Sequence, residues 1–226
     1  MDAIVKTNRT LQVQRTIKAL NKNNIDARFI ETVQDVVPVV TSLLSKGESV
    51  AVGGSVTLKE TGVLDLLRNG NYTFFDRYKP GLDKEEVTEV LHKSFFVDTY
   101  FASANAVTEH GELYCVDGTS NRVAALLYGP KQVILVVSWD KIVPDLISAI
   151  LRVKQIAAPS NARRLDTGTY CVESGKCINP NCDERNLMAL AAGACEHTIC
   201  SNYVVFSHQH VPGRMKVLII GESLGY

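Results

Sequence analysis

The sequence has no surplus of either charge: 24 Lys and Arg stand against 24 Asp and Glu, for a formal net charge of zero. Nucleic-acid binding driven by bulk attraction to phosphate is thereby disfavoured, since it draws on excess cations. Long-range electrostatic steering goes with it, leaving only a local charged patch. No apolar run approaches the roughly 20 residues of a membrane-spanning helix. The opening stretch MDAIVKTNRTLQVQRTIKAL lacks the apolar segment and small-residue cleavage site of a secretory signal. The expectation is a cytoplasmic protein with no membrane span and no nucleic-acid partner. Internal repeats and low-complexity tracts are also missing. What is present is globular: 46% hydrophobic and 21% charged residues in a 226-residue chain, long enough to bury about 70% of its unfolded surface without covalent staples.

Helical spacing of Val13, Ile17 and Leu20 predicts an amphipathic helix over 10–24. IDARFIET (25–32) follows as a short strand, and Val33, Val36, Val37, Val40 and Leu44 mark the stripe of a second helix. SVAVGG (49–54) is an apolar strand ending in paired glycines. Thr57-x-x-Glu60 and Asp83-x-x-Glu86 each have the form of a capping box. YTFF, DTYFASA, GELYCVDG and QVILVVS have strand composition. Pro144 suits the first turn of a helix carrying Leu146, Ile147, Ile150 and Leu151. NYVVFSH and MKVLIIGES close the chain as two strands, expected to form a hairpin. Alternation of strands with helices of ten to fifteen residues predicts an α/β fold, a layered and mostly parallel sheet flanked by helices. Residues 158–201 form a long stretch without clear periodicity.

Two turns carry candidate chemistry. The first, VAVGGSVTLKETG (50–62), runs from strand to helix through Gly53, Gly54, Ser55 and Thr57, with Lys59 beyond. Glycine admits close backbone approach, hydroxyls supply donors, and unpaired first-turn N–H groups favour an anion. The sequence is neither a phosphate-binding Walker loop nor a dinucleotide fingerprint; the plain alternative is a tight turn with a helix cap. The second lies in SANAVTEHGELYCVDGTSNRVAALLYGPKQVILV (103–136). There Asp117, Gly118, Thr119, Asn121 and Arg122 form a loop feeding a short helix, placed to meet a carboxylate or phosphate. Glu109 and Glu112 are candidate catalytic residues, as general base or nucleophile. For these two the preferred reading is instead a β-hairpin with TEHG as its turn. Arg77 in FDRYKPG is a further anion candidate, ahead of Arg163 and Arg164.

Five of the six cysteines lie in Cys171-x5-Cys177-x4-Cys182-x12-Cys195-x4-Cys200. In a reducing compartment such density points to metal before disulfides. Thiolates suit zinc or an iron–sulfur cluster. By spacing alone the two x4 pairs, Cys177/Cys182 and Cys195/Cys200, form the ligand set; reduced buried cysteines or a redox disulfide are the alternatives. His197 stands between Cys195 and Cys200 as a substitute ligand.

GGSVTLKETG, FDRYKPGL, the 103–136 segment, APSNARRL (158–165) and the IIGESLGY tail together resemble the LUD-domain family of lactate-utilisation proteins, over nearly the whole chain. The resemblance implies a fold of the NagB, ribose-phosphate isomerase and CoA-transferase type. It also implies a role beside iron–sulfur partner subunits in oxidation of L-lactate to pyruvate. Similar proteins read D-G-T-G-N-R where this chain has Ser120 in place of the second glycine. The family pattern aligns Cys171, Cys177, Cys195 and Cys200 as the metal set, with Cys182 as an alternative inside the inserted segment NPNCDERNLMALAAGA. The expectation is one α/β domain over 1–226 with a Cys-rich appendage at 166–201. It would bind a small anionic metabolite and a [4Fe-4S] cluster, with zinc as the alternative. A homo-oligomer stays open. Three functional readings stand: a subunit of a lactate-oxidising complex, a non-catalytic assembly or regulatory subunit with structural zinc, and an enzyme resembling CoA-transferases or sugar-phosphate isomerases.

Overall fold

A computed structural model describes residues 2–177, 195 and 197–226. The chain opens with helix α1 (Ala3–Lys22), capped by the Asp2 carboxylate, which accepts the Ile4 N–H at 2.8 Å. It starts two turns before the predicted stripe because those turns are exposed and show no apolar period. Strand β1 (Asp26–Ile30), helix α2 (Val36–Ser42), β2 (Ser49–Val52), α3 (Val56–Glu60), α4 (Val63–Asn69), β3 (Thr73–Phe75), α5 (Lys84–Lys93) and β4 (Thr99–Ala102) follow. At α5 the predicted capping box is complete: Asp83 accepts from the Glu86 N–H and the Glu86 carboxylate accepts from the Asp83 N–H. At α3 the cap is Ser55, whose hydroxyl accepts the Leu58 N–H at 3.2 Å, and not Thr57, which is buried two residues further in.

The second half holds β5 (Ala106–Thr108), β6 (Leu113–Asp117), α6 (Asn121–Leu127), β7 (Gln132–Ser138) and β8 (Ile142–Val143). Helices α7 (Leu146–Arg152), α8 (Ala158–Leu165) and α9 (Tyr170–Ser174) precede β9 (Asn202–Phe206) and β10 (Met215–Ile220). Asp145 caps α7, with Pro144 just ahead of it rather than in the first turn. Six strands form a parallel sheet in the order β1-β10-β7-β4-β2-β3. A second sheet, β8-β5-β6-β9, is mixed, with β6 antiparallel to β5 and β9. The α/β class with a mostly parallel sheet is as expected, but the closing hairpin is not. β9 pairs with β6, whereas β10 lies in the large sheet between β1 and β7. The near-continuous apolar run of β10 demands burial on both faces, which a peripheral hairpin cannot provide.

Period-two alternation splits the core. Val133, Leu135 and Val137 face α1, α6 and the second sheet, while Ile134 and Val136 face α2, α3 and α4. Part of the supposedly irregular 158–201 segment is helical. A π-turn over Val153–Ala157 joins α7 to α8, and there the Ala158 N–H reaches back five residues to the Val153 carbonyl. Pro159 lacks the N–H that would take the next carbonyl, that of Lys154, in the same register. That carbonyl instead accepts the Cys177 N–H at 2.8 Å. No helix among the described residues is long and apolar enough to cross a membrane.

Candidate functional site

The chain runs outward from β2 to β3, returns across to β4, and then builds toward β7 and β10. The carboxyl ends of β2 and β4 therefore flank the point where strand order reverses, the expected place for a ligand crevice in an open α/β sheet. A cavity of about 240 Å³ opens there, scaled to a small metabolite, since drug-sized sites occupy about 300–1,000 Å³. Gly54, Ser55 and Thr57 line it from the turn after β2, and Arg77 from the turn after β3. Ser103 and Asn105 follow β4, and Asp117, Gly118, Thr119, Asn121 and Arg122 come from the loop into α6. The two turns singled out in the sequence thus share one cavity. Gly53 stands behind it and exposed Lys59 outside it. A Cβ on Gly53 would lie 2.9 Å from Tyr100 Oη and 3.1 Å from Arg122 Cγ. Its lack of a side chain therefore lets Arg122 cross the turn, and that crossing joins the two loops.

Arg122 is mostly committed to the protein. Its Nε donates to Asp117 at 3.3 Å and its Nη1 to the Ser103 carbonyl at 2.7 Å. Its Nη2 donates to Asn105 Oδ1 at 3.0 Å and to the Val116 carbonyl at 2.7 Å. Four of five guanidinium protons are taken, so Arg122 clamps β4, β5 and β6 together and leaves little for a ligand. Asn105 completes the clamp, accepting the Val116 N–H on the same oxygen.

The site also contains a cation that the sequence reading missed. Lys141, at the end of the short turn after β7, is 3% exposed and lines the cavity. It forms no ion pair among the described residues. Its Nζ donates to Ser103 Oγ at 3.0 Å and to Thr57 Oγ1 at 3.4 Å. Burial, then the charges of Arg152 and Arg122, bring its pKa down to about 7. Arg152, itself buried, donates to the Asn105 and Asp140 carbonyls. Arg77 lies over the Tyr78 ring at 5.5 Å and forms no hydrogen bond or ion pair among the described residues. Arg164 is held by Asn161 and by the Tyr226 hydroxyl, and reaches the cavity as well. Among the described residues, four cationic side chains thus line the cavity against one carboxylate side chain, Asp117, already paired with Arg122. The signal for Lys141 was available: it closely follows the carboxyl end of a buried parallel strand, as the glycine turn does.

The structure does not bring Glu109 and Glu112 to the cavity. They sit in the β5–β6 turn, at the far end of these strands from Asn105 and Asp117, about four residues or 13 Å away. Glu109 pairs with Arg15 at 2.9 Å and accepts from Gln12; Glu112 accepts from Thr108 Oγ1 at 2.7 Å. The TEHG hairpin turn accounts for both.

Ser120 occupies the cap of α6 at φ +65°, a left-handed conformation that costs a side-chain-bearing residue about 1–2 kcal/mol. This explains why a glycine suits that position. Ser120→Gly is expected to stabilise the protein by about 0.5–1 kcal/mol after allowing for the looser unfolded chain. Urea unfolding measures it, and lower stability in the variant would contradict this account of the turn.

Beside this site, Cys171, Cys177, Cys195 and Cys200 line a second, small cavity of about 20 Å³, with Ile199 shared between the two. The four thiols aligned by the family pattern thus come together, although among the described residues no three His, Cys, Asp or Glu side chains converge closely enough to hold a metal ion. Burial, then the neighbouring Cys171, raises the pKa of Cys195. Cys182 lies outside the described residues. Cys115 is a fully buried core thiol. The segment after Cys195 is tied to the cavity loop that leads into α6: the Ser201 N–H donates to the Asp117 carbonyl at 3.0 Å, and Asn202 Nδ2 to that of Gly118 at 3.2 Å.

Comparison with known proteins bears on the fold and family. The LUD domain model matches residues 13–220. A crystal structure of a DUF162 family protein from Deinococcus radiodurans is similar at 13% identity. It aligns over 95% of this chain and 98% of that one, with a TM-score of 0.50, a likeness of fold alone. No curated protein matches.

Proposed function

This chain belongs to the LUD-domain family, and from that premise we propose that it binds a small anionic metabolite, a hydroxy- or keto-acid, in the cavity at the carboxyl ends of β2, β3, β4 and β7. The observation that carries this reading is Lys141, a cation buried beside two other cations with hydroxyls as its only hydrogen-bond partners among the described residues. Such an arrangement costs stability unless an anion completes it. Arg77 and Arg164 supply uncommitted donors at the mouth, and guanidinium groups match carboxylate geometry. The resemblance to lactate-utilisation proteins supports lactate and pyruvate as the first ligands to try, in a chain that serves oxidative lactate metabolism with partner subunits. The isomerase- or transferase-like alternative calls for a free carboxylate at the reacting atoms; among the described residues the only acid lining the cavity is Asp117, engaged by Arg122.

A thermal-shift screen of lactate, pyruvate, inorganic phosphate and coenzyme A tests the proposal. A ligand at 100 times its Kd adds about 2.7 kcal/mol to native stability, a shift of several degrees. Arg77→Gln is expected to weaken binding about 5- to 10-fold while changing the melting temperature of the free protein little, because its one interaction among the described residues is the exposed stack on neighbouring Tyr78. No shift with any of these compounds would end the reading.

A second reading concerns the thiols, favoured by their gathering on one cavity. Their donor chemistry fits a soft ion or an iron–sulfur cluster. Holding either would draw these thiols closer together than they stand. Cys171, Cys177, Cys195 and Cys200 would hold the group, which when bound supplies cross-linking of this segment or, as a cluster, electron transfer. Anaerobic metal analysis with an absorption spectrum decides among zinc, iron and neither.

A further inference from the structure

The cavity contains an amine whose surroundings suit bond formation as well as charge pairing. Burial, then the charges of Arg152 and Arg122, disfavours the ammonium form of Lys141, so the nitrogen lone pair is correspondingly available. Its neighbours are hydroxyls: Ser103 Oγ at 3.0 Å and Thr57 Oγ1 at 3.4 Å. They are able to pass protons without forming an ion pair. The tail closes over them. Gly225 takes φ +57°, and a Cβ there would lie 2.4 Å from Thr57 Oγ1 and 3.6 Å from Lys141 Nζ. The amine therefore faces the cavity and not bulk water, a setting that favours loss of water from an addition product.

We propose that Lys141 is a carbonyl-capturing nucleophile, condensing with the aldehyde or ketone of a small anion whose carboxylate or phosphate meets Arg77 and Arg164. The inference rests on the anion-site reading and goes beyond it. In the addition step the Nζ lone pair forms a bond to the carbonyl carbon. The carbonyl π pair moves to oxygen, which takes a proton relayed from nitrogen through Ser103 Oγ. In the second step the C–O bond breaks as the nitrogen pair forms the C=N bond, and the oxygen leaves as water with the second proton, which the nitrogen gives up through the same hydroxyls. One amine and one carbonyl give one imine and one water, with no change in oxidation state. Protonated, the imine withdraws electrons from the bonds next to the former carbonyl carbon.

Trapping tests this. The intact protein is incubated with pyruvate, glyoxylate or glyceraldehyde 3-phosphate in the presence of cyanoborohydride, and the sites of reductive alkylation are mapped by peptide mass spectrometry. Lys141 is expected to be labelled at least 10-fold faster than exposed lysines such as Lys59, with lactate or phosphate protecting it by competition. The oxo-acid and phosphoaldehyde arms identify the anionic group by which labels at lower concentration. Lys141→Arg keeps the charge and is expected to lose the adduct; protection in the unaltered protein gives the same information should that variant fold poorly. Labelling spread evenly over surface lysines, while the same compounds raise the melting temperature, would overturn the imine and leave the anion site standing. Neither labelling nor stabilisation would overturn both.

Discussion

Lys141→Met is expected to raise the melting temperature of the ligand-free protein and to abolish its response to anions in the same stroke. Methionine matches the lysine stem in length and flexibility, and it removes an uncompensated charge from a site 3% exposed. The gain should be on the order of 1–3 kcal/mol near pH 6, where the folded protein must hold the ammonium form. Its pH dependence has a definite sign. Between about 7, the pKa in the fold, and 10.5, the ordinary lysine value, the unfolded chain carries a proton that the folded protein does not. Unfolding free energy contributed by this group therefore climbs with pH across that window, and the advantage of the methionine variant shrinks accordingly. Anion binding runs the other way. A bound anion favours the ammonium form, so affinity for a carbonyl-free anion falls as pH rises through 7. Calorimetric melting at pH 6 and pH 9.5, with and without phosphate, measures all of this. A lower melting temperature for Lys141→Met at pH 6 would show that the ammonium is satisfied by the protein itself.

Arg122→Ala is expected to destabilise by about 3–5 kcal/mol, with loss of ligand binding as a secondary result. The substitution strips the Ser103 and Val116 carbonyls of a donor and leaves Asp117 without its ion-pair partner in a site where both side chains are nearly covered. Lysine should rescue little, because one ammonium cannot span Asp117, Asn105 and two carbonyls at once. Urea denaturation gives the magnitude; a cost under about 1 kcal/mol would mean that the clamp is dispensable. This variant is accordingly a poor probe of ligand binding, and Arg77→Gln isolates that function better.

The sequence announced the two turns but not what lies between them. The run SVAVGG followed by a hydroxyl cap is local chemistry, and so is the Asp83 capping box; both are visible because a few neighbouring residues determine them. The meeting of the DGTSNR loop with the glycine turn follows from strand order, which the alternation of elements suggests without specifying. Lys141 was hidden for a different reason. Its place just after a buried strand is a hint, but lysine is almost always solvated, and the packing of α7, the tail and β4 around one nitrogen is what establishes the exception. β9 and β10 were joined as a hairpin because they are consecutive, although NYVVF is half-buried and MKVLII is covered on both faces. Glu109 and Glu112 stood close in sequence to cavity residues, but a strand of a few residues carries its two ends to opposite edges of the molecule.

The widened turn between α7 and α8 amounts to a single surplus amino acid threaded into an otherwise continuous rod. Each residue of an α-helix advances the side chains by about 100°. The wider turn takes up its extra residue without re-aiming the helix beyond it, so deleting one of residues 155–157 would close the turn to ordinary winding. Pro159 would then fall four places beyond the Lys154 carbonyl and collide with it, pushing aside the acceptor that anchors Cys177. The seating of one proline and the docking of one thiol are in this way geared to the same extra notch.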